Sequence, residues 1–452
     1  MTYFVRPTLL AVLSIILITA SLFGQRPKKV SLKESIEIAQ EQNFTIKQAQ
    51  FSVRRDQAGV LSAYGNFLPT VSVGSSWSGG EQYVNGVALG GGGVRSFNPS
   101  LSARMTLFDG FSNTSSFSQA TANASSSEYS FGRTRQQVTA QTQRLYYEVL
   151  RTQQLLEIAK LSLNYNAQQL ERVRETARLG SASLVNVYQQ QAQVGNDEVR
   201  VAQAQSDFDV AKANLAAYVA LDVLDDYEFT DPSIPTELDS VEMTRQREST
   251  RDLRTLASQA FERRLDYQSS KQSLIATEAS VTIARSGYFP TISANASYGF
   301  NGRTVLETPL TSYSSEFTNF KDNQSLNWSL SLSLPIFSGF RTNEAIERAT
   351  VTQRTAEEQF SETQRRIQVE IRSAILQLES AQKNYEAAMK SLQYQNQNLK
   401  VNQEKYNVGS GTLLDLLFAQ NNYNSALTSK VNTVYQYLNA KSQLELALGT
   451  LQ

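Results

Sequence analysis

The sequence predicts a mostly helical α+β fold built twice over, each half giving a shorter helix, a pair of strands and a long helical hairpin. Three observations predict it. Short motifs recur in the same order in the two halves. Four segments alternate apolar and polar residues with period two. Two long stretches lack proline and carry a coiled-coil rhythm.

The chain opens on an export signal. Arg6 gives residues 1–25 a positive start, residues 9–22 are apolar, and Gly24 offers a small residue for cleavage. The apolar run is shorter than the roughly 20 residues of a membrane helix, which favours a cleaved signal over an anchor. The chain has no cysteine, so lipidation on cysteine is excluded.

Composition removes whole classes of chemistry. With 0 His and 0 Cys there are no thiol nucleophiles, disulfides, histidine bases or ordinary zinc sites. Lys+Arg and Asp+Glu are both 42, and a net charge of zero gives no reason to expect a nucleic-acid partner. The glycine run 90–93 is not followed by Gly-Lys-Ser/Thr and is no phosphate cradle. No cofactor is expected, and no carboxylate or Ser-Lys cluster suggests an enzyme.

The repeat sets the domain boundaries: 26–220 and 252–452 are two copies, joined by 221–251. Phe67-Leu68-Pro69-Thr70 returns as Tyr288-Phe289-Pro290-Thr291, and Leu107-Phe108-Asp109-Gly110-Phe111 as Ile336-Phe337-Ser338-Gly339-Phe340. Leu179-Gly180-Ser181 returns as Val408-Gly409-Ser410. Gly110 to Gly180 and Gly339 to Gly409 both span 70 residues, whereas Pro69 to Phe108 spans 39 and Pro290 to Phe337 spans 47. The constant spacing suggests a rigid element of set reach, the variable one surface loops.

Each copy opens on helix, at 31–66 with a break near Asn43, and at 252–287. The strands come next. Val71, Val73 and Trp77, then Leu101, Ala103, Met105 and Leu107, alternate with small polar residues. Ile292, Ala294, Ala296 and Tyr298, then Leu326, Trp328, Leu330, Leu332 and Leu334, do the same. Each run approaches the roughly 9–11 residues of a tilted membrane strand, and the Ser-rich polar face suits a watery lumen. Trp77, Tyr298 and Trp328 are candidate interfacial aromatics. Segments 79–98 and 301–323 are expected to be exposed loops.

Four strands cannot close a barrel, since about eight are the fewest known. Open sheet edges are not tolerated in lipid, so strands must come from several chains.

The hairpins follow. Residues 112–178 contain no proline and one glycine, and 341–408 neither. A helix of about 67 residues is about 100 Å long. In the second, Ile367, Ile371, Ala374, Leu378, Ala381, Tyr385, Ala388, Leu392, Leu399 and Tyr406 step by four and three, with polar slots at Gln395 and Asn402. Leu145, Val149, Leu156, Ala159, Leu163, Leu170, Val173 and Ala177 keep the same rhythm in the first. Helices over 184–218 and 413–448 run back, with Gly180 and Gly409 in the reversals. The acidic, proline-bearing 221–251 reads as a surface linker.

This order resembles the TolC-like outer-membrane efflux protein family, over about residues 31–452. The most specific stretch is Lys405-Tyr406-Asn407-Val408-Gly409-Ser410-Gly411-Thr412-Leu413-Leu414-Asp415-Leu416-Leu417, similar to the family's second hairpin tip. Gly180 with Leu184, Val185, Asn186 and Val187 resembles the first. The resemblance implies a homotrimer with a 12-stranded barrel in the outer membrane, continued by a helical coiled-coil barrel through the periplasm. It implies docking of a periplasmic adaptor, and through it an inner-membrane pump, at Leu179, Gly180, Ser181, Val408, Gly409 and Ser410.

The same resemblance puts the gate at the tips. Tyr406 matches a Tyr that ties the hairpins together in some members. Asn186 replaces the Asp partner, and Gly411 replaces an Arg. Asp415 matches one constricting Asp and Phe418 replaces the other. The expected function is a passive exit duct for efflux or type I secretion, carrying substrate across periplasm and outer membrane. A periplasmic coiled-coil adaptor or a structural scaffold would explain the helices alone, but not the interleaved strand pairs.

Overall fold

The computed structural model describes residues 28–451 apart from 81–82, 85–86, 89–93, 181–182, 301 and 306–322. The export signal at 1–25 lies outside the described residues. In chain order the elements are β1 (Lys28–Val30), α1 (Leu32–Gln42), α2 (Phe44–Gly65), β2 (Thr70–Gly80), β3 (Tyr83–Val84), β4 (Val87–Ala88), β5 (Val94–Phe108), α3 (Ser112–Arg178) and α4 (Leu184–Val219). Then come β6 (Tyr227–Phe229), α5 (Ser240–Ser249), α6 (Leu253–Arg263), α7 (Leu265–Arg285), β7 (Thr291–Phe300), β8 (Gly302–Val305), β9 (Gln324–Ser333), α8 (Arg341–Asn407) and α9 (Leu413–Leu448). The two long helices are both 67 residues and their return helices both 36, so the hairpin arms match as the repeat requires.

Two compact units form. One comprises residues up to Gln48, Thr134–Arg264 and everything from Ile367; the other comprises Ala49–Arg133 and Leu265–Arg366. Each draws on both copies, so compactness cuts across the repeat boundaries.

The second unit holds an antiparallel sheet in the order β2-β5-β7-β9, with β8 also on β5. The register puts Val73, Leu101, Tyr298 and Leu326 abreast on one face, and Ser72, Ser102, Ser297 and Asn327 on the other. One face is therefore apolar and one polar across all four strands. The strands are longer than the alternation indicated: β5 starts at Val94, inside the expected 79–98 loop, and β8 and the β3–β4 ladder also fall in expected loops. Beyond the alternation, Pro99 lacks an N–H to donate, and it stands where the pairing of β5 passes from β7 to β8.

After the second strand of each pair the chain turns through two consecutive left-handed residues, Gly110 and Phe111 in one copy and Gly339 and Phe340 in the other. A Cβ on Gly110 would lie 2.6 Å from Phe289 Cβ, so glycine is required there by space as well as by φ. Phenylalanine in this region costs about 1–2 kcal/mol, and that both copies accept it marks the turn as a defined start for the long helix.

The first unit has the coiled-coil core. Ile367, Ile371, Ala374, Leu378, Ala381, Tyr385 and Ala388 are all buried, as are Val149, Leu156, Leu170 and Val173. Each short N-terminal helix breaks once and uses the break to hold the end of its own hairpin. At the first break Asn43 Nδ2 donates to Tyr218 O (2.8 Å), next to the left-handed cap Ala220. At the second, which the sequence reading ran through as one helix, Arg264 Nη1 donates to Ala447 O (3.2 Å), next to the left-handed cap Gly449. Arg264 also pairs with Glu370 (2.7 Å) and is 1% exposed.

Residues 221–251 are more than a surface linker. β6 pairs in parallel with β1, Tyr227, Phe229 and Met243 are buried, and Tyr146 donates to Val30 O (3.0 Å) beneath them. The alternating Tyr-Glu-Phe is too short to stand out from its acidic surroundings, which is why composition alone reads it as exposed. Its carboxylates do stay outside and pair with lysines of the hairpins, as Asp226 with Lys212 and Glu242 with Lys441.

Candidate functional site at the hairpin tips

Both hairpins reverse on a left-handed glycine. Gly180 (φ +76°) donates to Ala177 O at 3.0 Å, and Gly409 (φ +74°) to Tyr406 O at 3.1 Å. At the second tip Ser410 N also donates to Lys405 O (2.9 Å), completing a Schellman closure. Ser181 and Ala182 lie outside the described residues. Leu179 and Val408 are 72% and 78% exposed, so each reversal holds an apolar side chain out in solvent. Leu184 and Leu414, on the return helices, are exposed as well.

The return helices are capped differently. Ser183 caps α4 by accepting from Val185 N (3.2 Å). Thr412 caps α9 with a reciprocal box: Asp415 N donates to Thr412 Oγ1 (3.1 Å), and Thr412 N donates back to Asp415 Oδ2 (3.3 Å). Thr412 Oγ1 donates to the same carboxylate at 2.6 Å. These bonds, the hydroxyl first, hold the Asp415 carboxyl below the ordinary aspartate range. Asp415 is exposed, and its other oxygen, Oδ1, accepts no bond among the described residues.

Phe418 lies three residues along α9, on the same helix face as Asp415. It is 68% exposed, so its own chain leaves this ring uncovered.

Tyr406 sits elsewhere. Its ring packs on a cluster of Leu170, Val173, Val187 and Leu413 that joins the two hairpins. Among the described residues no hydrogen bond links the Tyr406 hydroxyl to Asn186; the Asn186 amide N–H donates to Ser183 O (3.0 Å). A polar bond between the hairpins is made instead by Tyr165 on α3, whose hydroxyl donates to Gln403 Oε1 on α8. Sequence reasoning missed this pair, because residues so far apart in the chain carry no local signal. The cap was missed as well, although Thr412-Leu413-Leu414-Asp415 has the spacing of a capping box.

The tips thus combine an exposed carboxylate and aromatic on one helix face, solvent-held apolar residues at the reversals, and a small apolar cluster between hairpins.

Comparison with known proteins agrees with the fold and its repeat. The family described as outer membrane efflux protein matches residues 35–221 and 256–450, one segment per copy. The protein CyaE of Bordetella pertussis is 24% identical over 428 residues, covering 95% of this chain and 86% of that one. The outer membrane protein TolC of Vibrio cholerae is 23% identical over 343 residues, 74% of this chain and 73% of that one. Among solved structures, the CmeC outer membrane channel of Campylobacter jejuni superposes with a TM-score of 0.76 at 18% identity, covering 93% of this chain and 85% of that one. VceC, an outer membrane protein of Vibrio cholerae, gives 0.77 at 18% identity, covering 92% and 96%.

Proposed function

The chain belongs to the outer membrane efflux protein family, and from that premise we propose that it works as a homotrimeric, passive exit duct. It carries substrate across the periplasm and outer membrane for an efflux pump or type I secretion system. The observation that carries the reading is the sheet. Its two outer strands, β2 and β9, have no partner on their far sides among the described residues, and they present Val71, Val73, Leu326, Trp328 and Leu330 to the outside. An apolar face needs lipid, and a free edge in lipid needs another strand. Three copies joined β9 to β2 give a closed barrel of 12 strands with the apolar face outward and the serine face inward.

Energy comes from the partner. The hairpin tips, with Leu179 and Val408 exposed, dock a periplasmic adaptor that connects to an inner-membrane pump. Asp415 and Phe418 form the constriction, and Tyr406 with Tyr165 and Gln403 hold the second hairpin against the first.

Membrane fractionation with an unboiled gel tests the duct. A band at trimer mass in the outer-membrane fraction is expected, and a soluble monomer would sink the reading. The chain has no native cysteine, so cysteines placed singly on β2 and β9 should cross-link neighbouring copies. Phe418→Ala channels in planar bilayers should conduct more than wild type, and unchanged conductance would remove Phe418 from the gate.

A further inference from the structure

The polar face of the sheet is neutral almost throughout. Ser72 and Ser102 share a hydrogen bond at 2.8 Å, Ser78 and Ser96 another at 2.6 Å, and Ser293 and Ser331 a third at 2.9 Å. On β2, β5, β7 and β9 every described side chain on this face is Ser, Thr, Asn or absent (glycine), with one exception, Arg104 on β5; on β8 the register sets a second arginine, Arg303, opposite Ser96.

Arg104 stands directly opposite Asn295 on β7 and Thr70 on β2. Its Nε donates to Asn295 Oδ1 at 2.8 Å, which fixes the plane of the guanidinium. Among the described residues no carboxylate pairs with it, and the side chain is exposed. An arginine on the lipid face of a barrel is destabilising, by about 2–4 kcal/mol at the bilayer midplane. Here it lies on the opposite face, held by a neutral acceptor that leaves its charge uncompensated.

We infer that Arg104 sets the charge preference of the strand-lined segment, favouring anionic over cationic solutes there. The inference rests on the duct reading: three copies put a ring of fixed positive charge into a lumen whose described lining around Arg104 is neutral hydroxyls and amides. The sign is opposite to that of the Asp415 carboxylates at the tips. Arginine suits such a site because it keeps its charge when partly desolvated and presents a flat, directional set of donors. Three charges at about 10 Å, with a Debye length of about 10 Å at 0.1 M salt, change the local anion-to-cation ratio by roughly three- to six-fold.

The cysteine-free chain permits a local reading of this potential. Ser329 on β9 is exposed and lies opposite Asn295, two strands from Arg104. Ser329→Cys trimers in vesicles are treated with an anionic and a cationic methanethiosulfonate reagent, and the two rates are compared. With Arg104 present, the anion-to-cation rate ratio at 0.1 M salt should exceed that of Ser329→Cys/Arg104→Gln by roughly three- to six-fold, and the excess should shrink toward unity at 1 M salt. Arg104→Lys should keep the higher ratio. Thr70→Glu neutralises Arg104 from the facing strand without removing it and should lower the ratio even if Arg104→Gln fails to assemble. Equal ratios in the presence and absence of the arginine charge would overturn the inference while leaving the duct intact. A cysteine inert to both reagents in vesicles, but reactive after unfolding, would show that this face lines no water, and the duct reading would fall with it.

Discussion

A fixed offset relates the two hairpins: Gly180 corresponds to Gly409, Ser183 to Thr412, Asn186 to Asp415 and Asn166 to Gln395, each 229 residues on. Their lengths and reversals agree, but their interiors do not. In the first hairpin Asp197 is fully buried and accepts from Asn166 Nδ2 (2.5 Å), Ser162 Oγ (3.3 Å), Gln193 Nε2 (3.2 Å) and Arg200 Nη1 (3.2 Å). Gln190 donates to Asn166 O at 2.9 Å, and Asn424 of α9 reaches Ser162 Oγ at 2.8 Å. At the matching places the second hairpin has Ala426 and Ala419, both buried, and Gln395, whose Oε1 has no partner among the described residues. A buried polar layer fixes the register of a coiled coil, because any slip leaves its groups unbonded. The two alanines at the matching places set no such register. The polar layer is therefore a device of the first hairpin, to which the second contributes Asn424.

Removing the layer should have the largest effect. Asp197→Ala leaves Asn166 and Ser162 short of their acceptor and should lower the unfolding free energy by about 2–4 kcal/mol. Ala426→Ser, at the matching place, should cost about 1 kcal/mol or less. Denaturant midpoints of the detergent-solubilised protein measure both, and equal shifts would break the comparison. Next come the breaks in the short helices. Arg264→Ala removes both the bond to Ala447 O and the pairing with Glu370, which is partly solvated, and should cost about 2–3 kcal/mol. Asn43→Ala removes the bond to Tyr218 O and should cost about 1–2 kcal/mol. Hydrogen exchange in the last turns of α9 and α4 reads the two separately, and the larger loosening should be in α9.

How much of this was legible follows from the range of each signal. The seam from Ile367 to Ala388, the break at Asn43 and the strand faces were readable, since period and punctuation are local. Arg264 was not, because nothing in its neighbourhood ends a helix; its role depends on Ala447 and Glu370, far along the chain. Asn166 occupies a heptad slot and reads as a gap in the seam until Asp197 and Gln190 are placed against it. At the tips the glycines were local and legible; the Thr412–Asp415 box is equally local, but Asp415 was read only as a gate residue. The placement of Tyr406 in an apolar cluster, and the Tyr165–Gln403 link in place of a bond to Asn186, depended on contacts between hairpins.

The caps offer a gentler test. Thr412→Ala should destabilise the start of α9 by about 1 kcal/mol, while Ser183→Ala should cost the start of α4 about 0.5 kcal/mol, since Ser183 accepts a single bond and has no reciprocal acid. First-turn amide exchange in α9 and α4 would measure each. A first tip as sensitive as the second would mean that the reciprocal acid adds nothing.

The smallest effect separates the tips by pH. Asp415 is held below the ordinary aspartate range by the Thr412 hydroxyl and amide. A carboxyl whose folded value is depressed stabilises the folded form above its unfolded value, near 4, and loses that contribution as pH falls through the depressed value. At neutral pH the α9 cap is therefore complete. Asn186, its counterpart, does not titrate, so the start of α4 should be indifferent over the same interval. Exchange rates of first-turn amides, corrected for their intrinsic pH dependence, should rise in α9 between pH 5 and pH 2.5 and stay level in α4. Asp415→Asn should abolish the difference, because it leaves the second tip, like the first, with an amide that does not titrate. Parallel behaviour of the two tips in the wild-type protein would mean that the carboxylate does not act as a cap.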